Sequence, residues 1–356
     1  MSDRVLLDDN RILLKGNEAA AEGAIVGGCR YFFGYPITPQ NQIPEYMAAH
    51  MHEVGGVFVQ AESEVAAINM VYGAAATGVR AMTSSSSPGV SLMQEGLSYM
   101  LGAELPCVVI NMVRGGPGLG NIAPAQSDYW LATRGCGHGD GRCITFAPYS
   151  VQELHDWTAD AFAIAEKYRN PVMILGDAIL AQMAEPCRLR PRTPPPEPNF
   201  DWNVGGIRAG RERRIVNSLW TDVPVMEAVN QRIQARYDQA AREEVVWQEY
   251  GHDEPDALIC AYGSSARVAE TAVDRLNAEG FRLRLFRPIS LFPFPSAPLQ
   301  AWGEKVRKML VFELSMGQFI EDVRLAVEGR CPVEYYGTAG GPVITPEMLE
   351  ARLRAL

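Results

Sequence analysis

Short apolar runs alternate with helical stretches of 12 to 20 residues through the first half of the chain, and that rhythm admits few folds. The runs are YFFG, VFVQA, VRAMTS, PCVVINMV, RCITF and NPVMILGD. Each is continuously apolar rather than alternating, as expected of strands covered on both faces. Between them lie helices predicted at residues 16–30, 43–54, 63–78, 87–104 and 150–169, the third ended by Gly78. Strand and crossover helix in strict succession predict a doubly wound parallel sheet in an α/β domain.

A break follows at PCRLRPRTPPPEPNF (186–200), whose six prolines make a stiff, extended connector. Residues 223–247 read as one long charged helix. The α/β rhythm then restarts with DALICAYGS. A helix capped by Ser264 or Ser265 follows, with Gly280 just past its end, and then FRLRLFRP, KMLVFEL and VEYYGT. The predicted organisation is a first domain at 1–185, a connector with its helix at 186–252, and a smaller α/β domain at 253–356.

A net charge of −10 and a pI near 5.1 argue against nucleic acid or an anionic membrane surface as the main partner. No apolar run approaches the roughly 20 residues of a membrane span, and the charged N-terminus does not resemble a secretory leader. Seven scattered cysteines without a CxxC suit a reducing cytoplasm and do not suit an iron–sulfur cluster or structural zinc in this chain.

In parallel α/β sheets ligands gather at the carboxyl ends of strands. Four such ends carry chemistry: GYPITP, QAESE, TSSSSPG and NMVRGGPGLGN. Pro36 and Pro39 stiffen the backbone around Ile37 and Thr38. Glu62 and Glu64 stand where a strand becomes a helix. They suit either helix-terminal charges or a buried carboxylate that exchanges a proton with a ligand nitrogen. The serines of 84–87 let a ligand approach a helix N-terminus, although turn chemistry would explain them equally well. Arg114 ends a buried strand and needs an anion, either a substrate carboxylate or an internal partner such as Asp128. GCGHGDGRC (135–143) imitates a metal site, but its spacing fits a Gly-rich turn better. Its GDG lacks the paired asparagines of a complete thiamine-diphosphate metal motif, since Asn170 stands alone in range.

In chain order, GYPITP, ESEVAAINMVYGAAATG, TSSSSPG, ELPCVVINMVRGGPGLGN, AQSDYW, GHGD and RPISLFPFP resemble the alpha subunit of the 2-oxoacid:ferredoxin oxidoreductases. The form GGPGLGNIAPAQSDYW followed by GHGDGR is most similar to the branch acting on 2-oxoisovalerate (3-methyl-2-oxobutanoate). The resemblance implies a pyrimidine-type thiamine-diphosphate domain followed by a transketolase-C-like domain. It implies oxidative decarboxylation of a 2-oxoacid, with acyl transfer to coenzyme A and electrons passed to ferredoxin. A beta subunit would carry the diphosphate and Mg²⁺ site. A gamma subunit and a ferredoxin-like delta subunit would complete the complex, with the iron–sulfur clusters on partners.

By the same resemblance, Glu64 would hydrogen-bond the aminopyrimidine ring nitrogen. Arg114 and Thr38 would hold the substrate carboxylate. Pro36, Ile37, Ser86 and Ser87 would contact the cofactor. Decarboxylation removes the charge that Arg114 binds, so Arg114 is expected to orient more than to stabilise. The same chemistry on 2-oxoglutarate or an aryl 2-oxoacid, and a non-catalytic scaffold subunit, are the alternatives.

Overall fold

The computed structural model describes residues 11–192, 194–195, 200–205, 212–340 and 343–356. The first ten residues, Pro196 and Pro198 lie outside the described residues. The chain opens with β1 (Ile12–Lys15), α1 (Gly16–Val26), β2 (Tyr31–Gly34), α2 (Gln42–His50), β3 (Val57–Gln60) and α3 (Glu64–Ala76). It continues with β4 (Ala81–Ser85), α4 (Ser87–Gly102), β5 (Cys107–Val113), α5 (Tyr129–Thr133), β6 (Ile144–Phe146), α6 (Val151–Tyr168), β7 (Pro171–Asp177), α7 (Ala178–Gln182) and β8 (Ala184–Cys187). After α8 (Val223–Glu243) come β9 (Trp247–Gly251), β10 (Ala257–Cys260), α9 (Gly263–Ala278), β11 (Leu283–Pro288) and β12 (Ser290–Phe292). The last elements are α10 (Ser296–Gly303), β13 (Lys308–Glu313), α11 (Phe319–Val327), β14 (Val333–Gly337) and α12 (Pro346–Arg354).

The larger sheet runs β12-β6-β7-β5-β4-β2-β3 and is parallel except for its edge strand β12. β4, β5 and β7 are buried along their whole length, which accounts for the long apolar runs of β5 and β7. Because these strands are parallel, the segments following β3, β2, β4, β5 and β7 emerge side by side along one edge. The smaller sheet runs β14-β13-β10-β11-β9, with β9 antiparallel at its edge.

Several sequence boundaries move. α1 ends at Val26 because Gly27 and Gly28 follow, the latter at φ +82°. The long helix stops at Glu243, and residues 247–251 become β9 of the second sheet instead. β12, from the SLF of RPISLFPFP, crosses back to pair with β6 of the first sheet. β1 and β8 form a separate antiparallel pair. Neither serine caps α9. Tyr262 holds the cap position, while the Ser264 hydroxyl donates to Asp177 and the Ser265 hydroxyl donates to Gln126 Oε1 at 2.7 Å.

Those two bonds belong to the seam between the sheets. Gln126 also donates through Nε2 to Tyr262 O (2.8 Å) and accepts from the Leu314 amide (2.9 Å). Tyr129, Tyr262 and Phe319 pack beside it with ring centroids 5.2–5.6 Å apart. One apolar core runs through both sheets. Cys136 and Cys143 are joined in a disulfide, Cα atoms 6.4 Å apart, against the expectation of reduced thiols throughout. The chain returns on itself through the Gly-rich turn between them, which brings the two together. The other five cysteines are free and buried.

Candidate active site

The two glutamates of QAESE part company. Glu62 is exposed, whereas Glu64 is 6% exposed at the first turn of α3. Capping is done by Ser63, whose hydroxyl accepts from the Ala66 amide at 3.2 Å. Glu64 is thereby released from the capping role, and among the described residues its carboxylate has no hydrogen-bond or ion-pair partner. The carboxylate lies against the first turn of α4. A Cβ on Gly89 would sit 2.1 Å from Ser85 Oγ, 2.5 Å from Glu64 Oε1 and 2.8 Å from Glu64 Cγ. Gly89 is therefore a space requirement, and Ser85 and Glu64 share the hollow it leaves.

The serine run is buried from Ser84 through Ser86. Ser84 is used internally, donating to Gln40 Oε1 at 2.6 Å. Thr83 Oγ1, Ser85 Oγ and Ser86 Oγ are buried without any partner. Ser86 is the N-cap residue of α4, yet its hydroxyl makes no capping bond. Leaving one such group unsatisfied costs about 1–3 kcal/mol, so three together mark a place built for polar atoms from outside the chain.

Ser87 ties α4 to the end of β5. Its amide donates to Asn111 Oδ1 (3.1 Å), and its hydroxyl accepts from the Arg114 amide (3.1 Å). Asn111 Nδ2 in turn donates to Asp128 Oδ2 at 2.9 Å. Burial pushes the Asp128 carboxyl above its ordinary range, opposed by hydrogen bonds from Asn111 and Ser87. Asp128 is not the counter-ion of Arg114. The Arg114 guanidinium donates to two main-chain carbonyls, Thr38 O and Leu119 O, both at 3.0 Å, and its Nε is buried without a partner. Among the described residues no carboxylate pairs with it, so its positive charge is uncompensated.

Thr38 is exposed, followed by a cis peptide to Pro39. Its hydroxyl accepts only a long bond from Asn41 Nδ2, at 3.4 Å. The link between Thr38 and Arg114 thus runs through the threonine carbonyl, which sequence reasoning did not foresee. Pro36 is exposed and Ile37 half-buried on the same turn. The Gly-rich loop is held closed: Gly115 N–H donates to Ala123 O and Asn121 N–H to Gly115 O, each at 3.0 Å, while Asn121 Nδ2 reaches Gly340 O at 3.1 Å.

The structure brings Glu64, Ser86, Ser87, Arg114 and Thr38 to one sheet edge. Sequence reasoning missed Gly89 and Asn111, and it considered Asp128 only as an internal partner of Arg114. A glycine at the third position of a helix, after four serines and a proline, is the signal that could have found Gly89. The 135–143 turn lies elsewhere, and among the described residues no cluster of His, Cys, Asp or Glu could hold a metal ion. Asn170 is structural, donating to Arg142 O at 2.9 Å and Pro171 O at 2.8 Å.

A pyrimidine-type thiamine-diphosphate domain followed by a transketolase-C-like domain is the class that this architecture defines. Residues 22–204 match the family described as "Pyruvate flavodoxin/ferredoxin oxidoreductase, thiamine diP-bdg", and residues 255–349 match "Pyruvate:ferredoxin oxidoreductase core domain II". The chain belongs to the 2-oxoacid:ferredoxin oxidoreductase family. It is 46% identical, over 97% of both chains, to the ketoisovalerate oxidoreductase subunit VorB of Methanothermobacter marburgensis. It is 36% identical to the 2-oxoglutarate synthase subunit KorA of Methanothermobacter thermautotrophicus, over 94% of this chain and 96% of that one. Among solved structures it resembles the 2-oxoglutarate:ferredoxin oxidoreductase from Magnetococcus marinus with 2-oxoglutarate, coenzyme A and succinyl-CoA bound. The TM-score is 0.87 at 30% identity, covering 97% of this chain and 65% of that one. A split-gene transketolase shares the fold, with a TM-score of 0.59 at 15% identity.

Proposed function

We propose that this chain is the alpha subunit of a coenzyme A-dependent 2-oxoacid:ferredoxin oxidoreductase. Its reaction would convert a branched-chain 2-oxoacid, 3-methyl-2-oxobutanoate, to acyl-CoA, CO₂ and reduced ferredoxin. The observation that carries this is a buried carboxylate without a partner, Glu64, beside three orphaned hydroxyls at the carboxyl edge of a parallel sheet. Those groups fit the aminopyrimidine half of thiamine diphosphate, which carries both ring acceptors and an amino donor. The bound cofactor supplies the carbon nucleophile for the 2-keto carbon.

On this reading the buried Glu64 carboxylate would share a proton with the pyrimidine ring nitrogen. Ser86 and Ser87 line the approach to the cofactor, with Pro36 and Ile37 on its other side. Arg114, already tethered to Thr38 O and Leu119 O, orients the substrate carboxylate with a pre-positioned charge. The Thr38 hydroxyl, weakly engaged by Asn41, is available to the same carboxylate or keto oxygen.

Residues 1–185 would supply the cofactor half-site and residues 253–356 the packing behind it. A beta subunit would bring the diphosphate and Mg²⁺ site. A gamma subunit and a ferredoxin-like delta subunit would carry the electrons through iron–sulfur clusters, in the cytoplasm. Among the described residues no helix is long and apolar enough to cross a membrane. The branched-chain substrate is preferred over 2-oxoglutarate because identity to VorB exceeds identity to KorA.

The test is reduction of a viologen dye by the complex purified with its partners, over a panel of 2-oxoacids with coenzyme A. The wild type is expected to favour 3-methyl-2-oxobutanoate and Glu64→Ala to be inactive. Full activity of Glu64→Ala would sink the catalytic role, and preference for 2-oxoglutarate would sink the substrate assignment.

A further inference from the structure

Arg114 is steered by two carbonyls of unlike stiffness. Thr38 O, 3.0 Å from Nη1, sits on a turn that Pro36 and Pro39 restrict. Leu119 O, 3.0 Å from Nη2, sits on the Gly-rich loop of residues 115–123. Residues 116–122 of that loop are all exposed, Leu119 by 82%. A Cβ added to Gly116 or to Gly118 would meet nothing within 4 Å. Burial of apolar surface therefore does not hold this stretch in place, and its hydrogen bonds must.

Those bonds converge on Asn121. Its amide donates to Gly115 O at 3.0 Å, its Oδ1 accepts from the Ala123 amide at 2.9 Å, and its Nδ2 donates to Gly340 O at 3.1 Å. Gly340 belongs to the segment after β14, so the last bond crosses to the second domain. Gly115 leaves room for the junction: a Cβ there would stand 2.4 Å from Asn121 Oδ1 and 3.3 Å from Gly340 Cα. Gly120 is at φ +57°, and a Cβ on it would stand 1.7 Å from Gly115 O, the acceptor of the Asn121 amide. One residue thus joins both ends of the loop to the second domain, on the same loop as the carbonyl that steers Arg114.

We propose that Asn121 is a positioning residue for the reaction. By clamping the loop to the segment after β14 it fixes Leu119 O, and through that carbonyl it fixes the plane in which the Arg114 guanidinium meets the substrate carboxylate. A guanidinium fork holds a carboxylate through two parallel N–H donors, so a tilt of its plane loses a hydrogen bond while the charge stays. Arg114 Nε, buried without a partner, is the donor left for such a fork. Asn121 touches no substrate in this role. The proposal rests on the carboxylate role of Arg114 given above, and it makes the arginine's orientation depend on a contact with the second domain.

The test is steady-state viologen reduction by the complex purified with its partner subunits, with the 2-oxoacid varied. Asn121→Ala removes both side-chain bonds. Gly120→Ala displaces the same loop through its backbone and leaves the Asn121 side chain in place. Both positions are exposed, so the fold should survive either change. Each variant is expected to raise the KM for the 2-oxoacid about threefold to tenfold, the range of one well-placed hydrogen bond. The deciding readout is a double-mutant cycle with Arg114→Lys. Adding Asn121→Ala to Arg114→Lys should raise that KM by less than about twofold, because the group that Asn121 acts through is already gone. An unchanged KM in either single variant overturns the proposal. So does an Asn121→Ala effect of equal size in both backgrounds, which would make the clamp independent of the guanidinium. A wild-type KM in Arg114→Lys alone refutes the carboxylate role of Arg114 instead, and that single variant separates the two failures.

Discussion

Gly89→Ala is the sharpest perturbation the site offers, because it touches Glu64 without removing it. Cβ atoms essentially never come within 3.0 Å of another heavy atom, yet this one would meet Ser85 Oγ at 2.1 Å, Glu64 Oε1 at 2.5 Å and Glu64 Cγ at 2.8 Å. The Glu64 carboxylate must therefore retreat by roughly half an ångström or turn to another rotamer. A misplacement of about 1 Å can cost about 100-fold in rate. A 10- to 100-fold fall in kcat/KM is thus expected, about 1.4–2.7 kcal/mol of transition-state stabilisation. Folding should suffer less. Overpacking costs about 1–3 kcal/mol, while replacing a helical glycine by alanine returns up to about 1 kcal/mol. The assay is viologen reduction by the purified complex, with thermal unfolding followed in parallel. Gly73→Ala, in α3, is the control: nothing lies within 4 Å of its added Cβ. It should match wild-type activity and gain slightly in stability. Wild-type activity in Gly89→Ala, with the fold intact, would refute the claim that catalysis needs the Glu64 carboxylate against α4.

Ser86→Ala deletes a buried hydroxyl that has no internal partner. Its Tm should hold or rise slightly, while thiamine diphosphate affinity of the complex, titrated after cofactor removal, falls about threefold to tenfold; a lower Tm with unchanged affinity would make Ser86 structural. Arg114→Lys keeps the charge but cannot span Thr38 O and Leu119 O with one planar fork. The KM for the 2-oxoacid should rise about tenfold, whereas an unchanged value would exclude the carboxylate role. Asp177 is fully buried, and burial pushes its carboxyl above the ordinary range despite bonds from Ser264, Leu180 and Ile179. A folded-state value raised above the unfolded one favours the fold when protonated, and that contribution is lost as pH rises through the folded value. Wild type should therefore lose Tm relative to Asp177→Asn between mildly acidic and alkaline pH. A gap moving the other way would refute the assignment.

Much of this site was legible because parallel sheets make their carboxyl ends converge whatever the detailed packing. Four loaded segments in the right rhythm were enough to place Glu64, Arg114, Thr38 and the serines on one edge. What sequence could not separate were positions with the same local character. Glu62 and Glu64 both sit at a helix start, and only burial shows which one is withheld from water. The pairing of Arg114 was open for the same reason. Asp128 was a reasonable counter-ion in sequence, but in three dimensions it is occupied by Asn111 and the guanidinium bonds main-chain carbonyls instead.

The misplaced boundaries have a common cause: they are decided by partners distant in the chain. Residues 247–251 carry a helix-compatible sequence but gain a strand partner in β11, and the ladder overrides local preference. Ser264 and Ser265 have the composition of caps, yet their hydroxyls serve Asp177 and Gln126, 87 and 139 residues earlier. Cys136 and Cys143 look unpaired until the turn between them closes. The junction that commits these serines also fixes β7, whose end leads into α7. The second domain thereby bears on the candidate site by holding the strand end beside it.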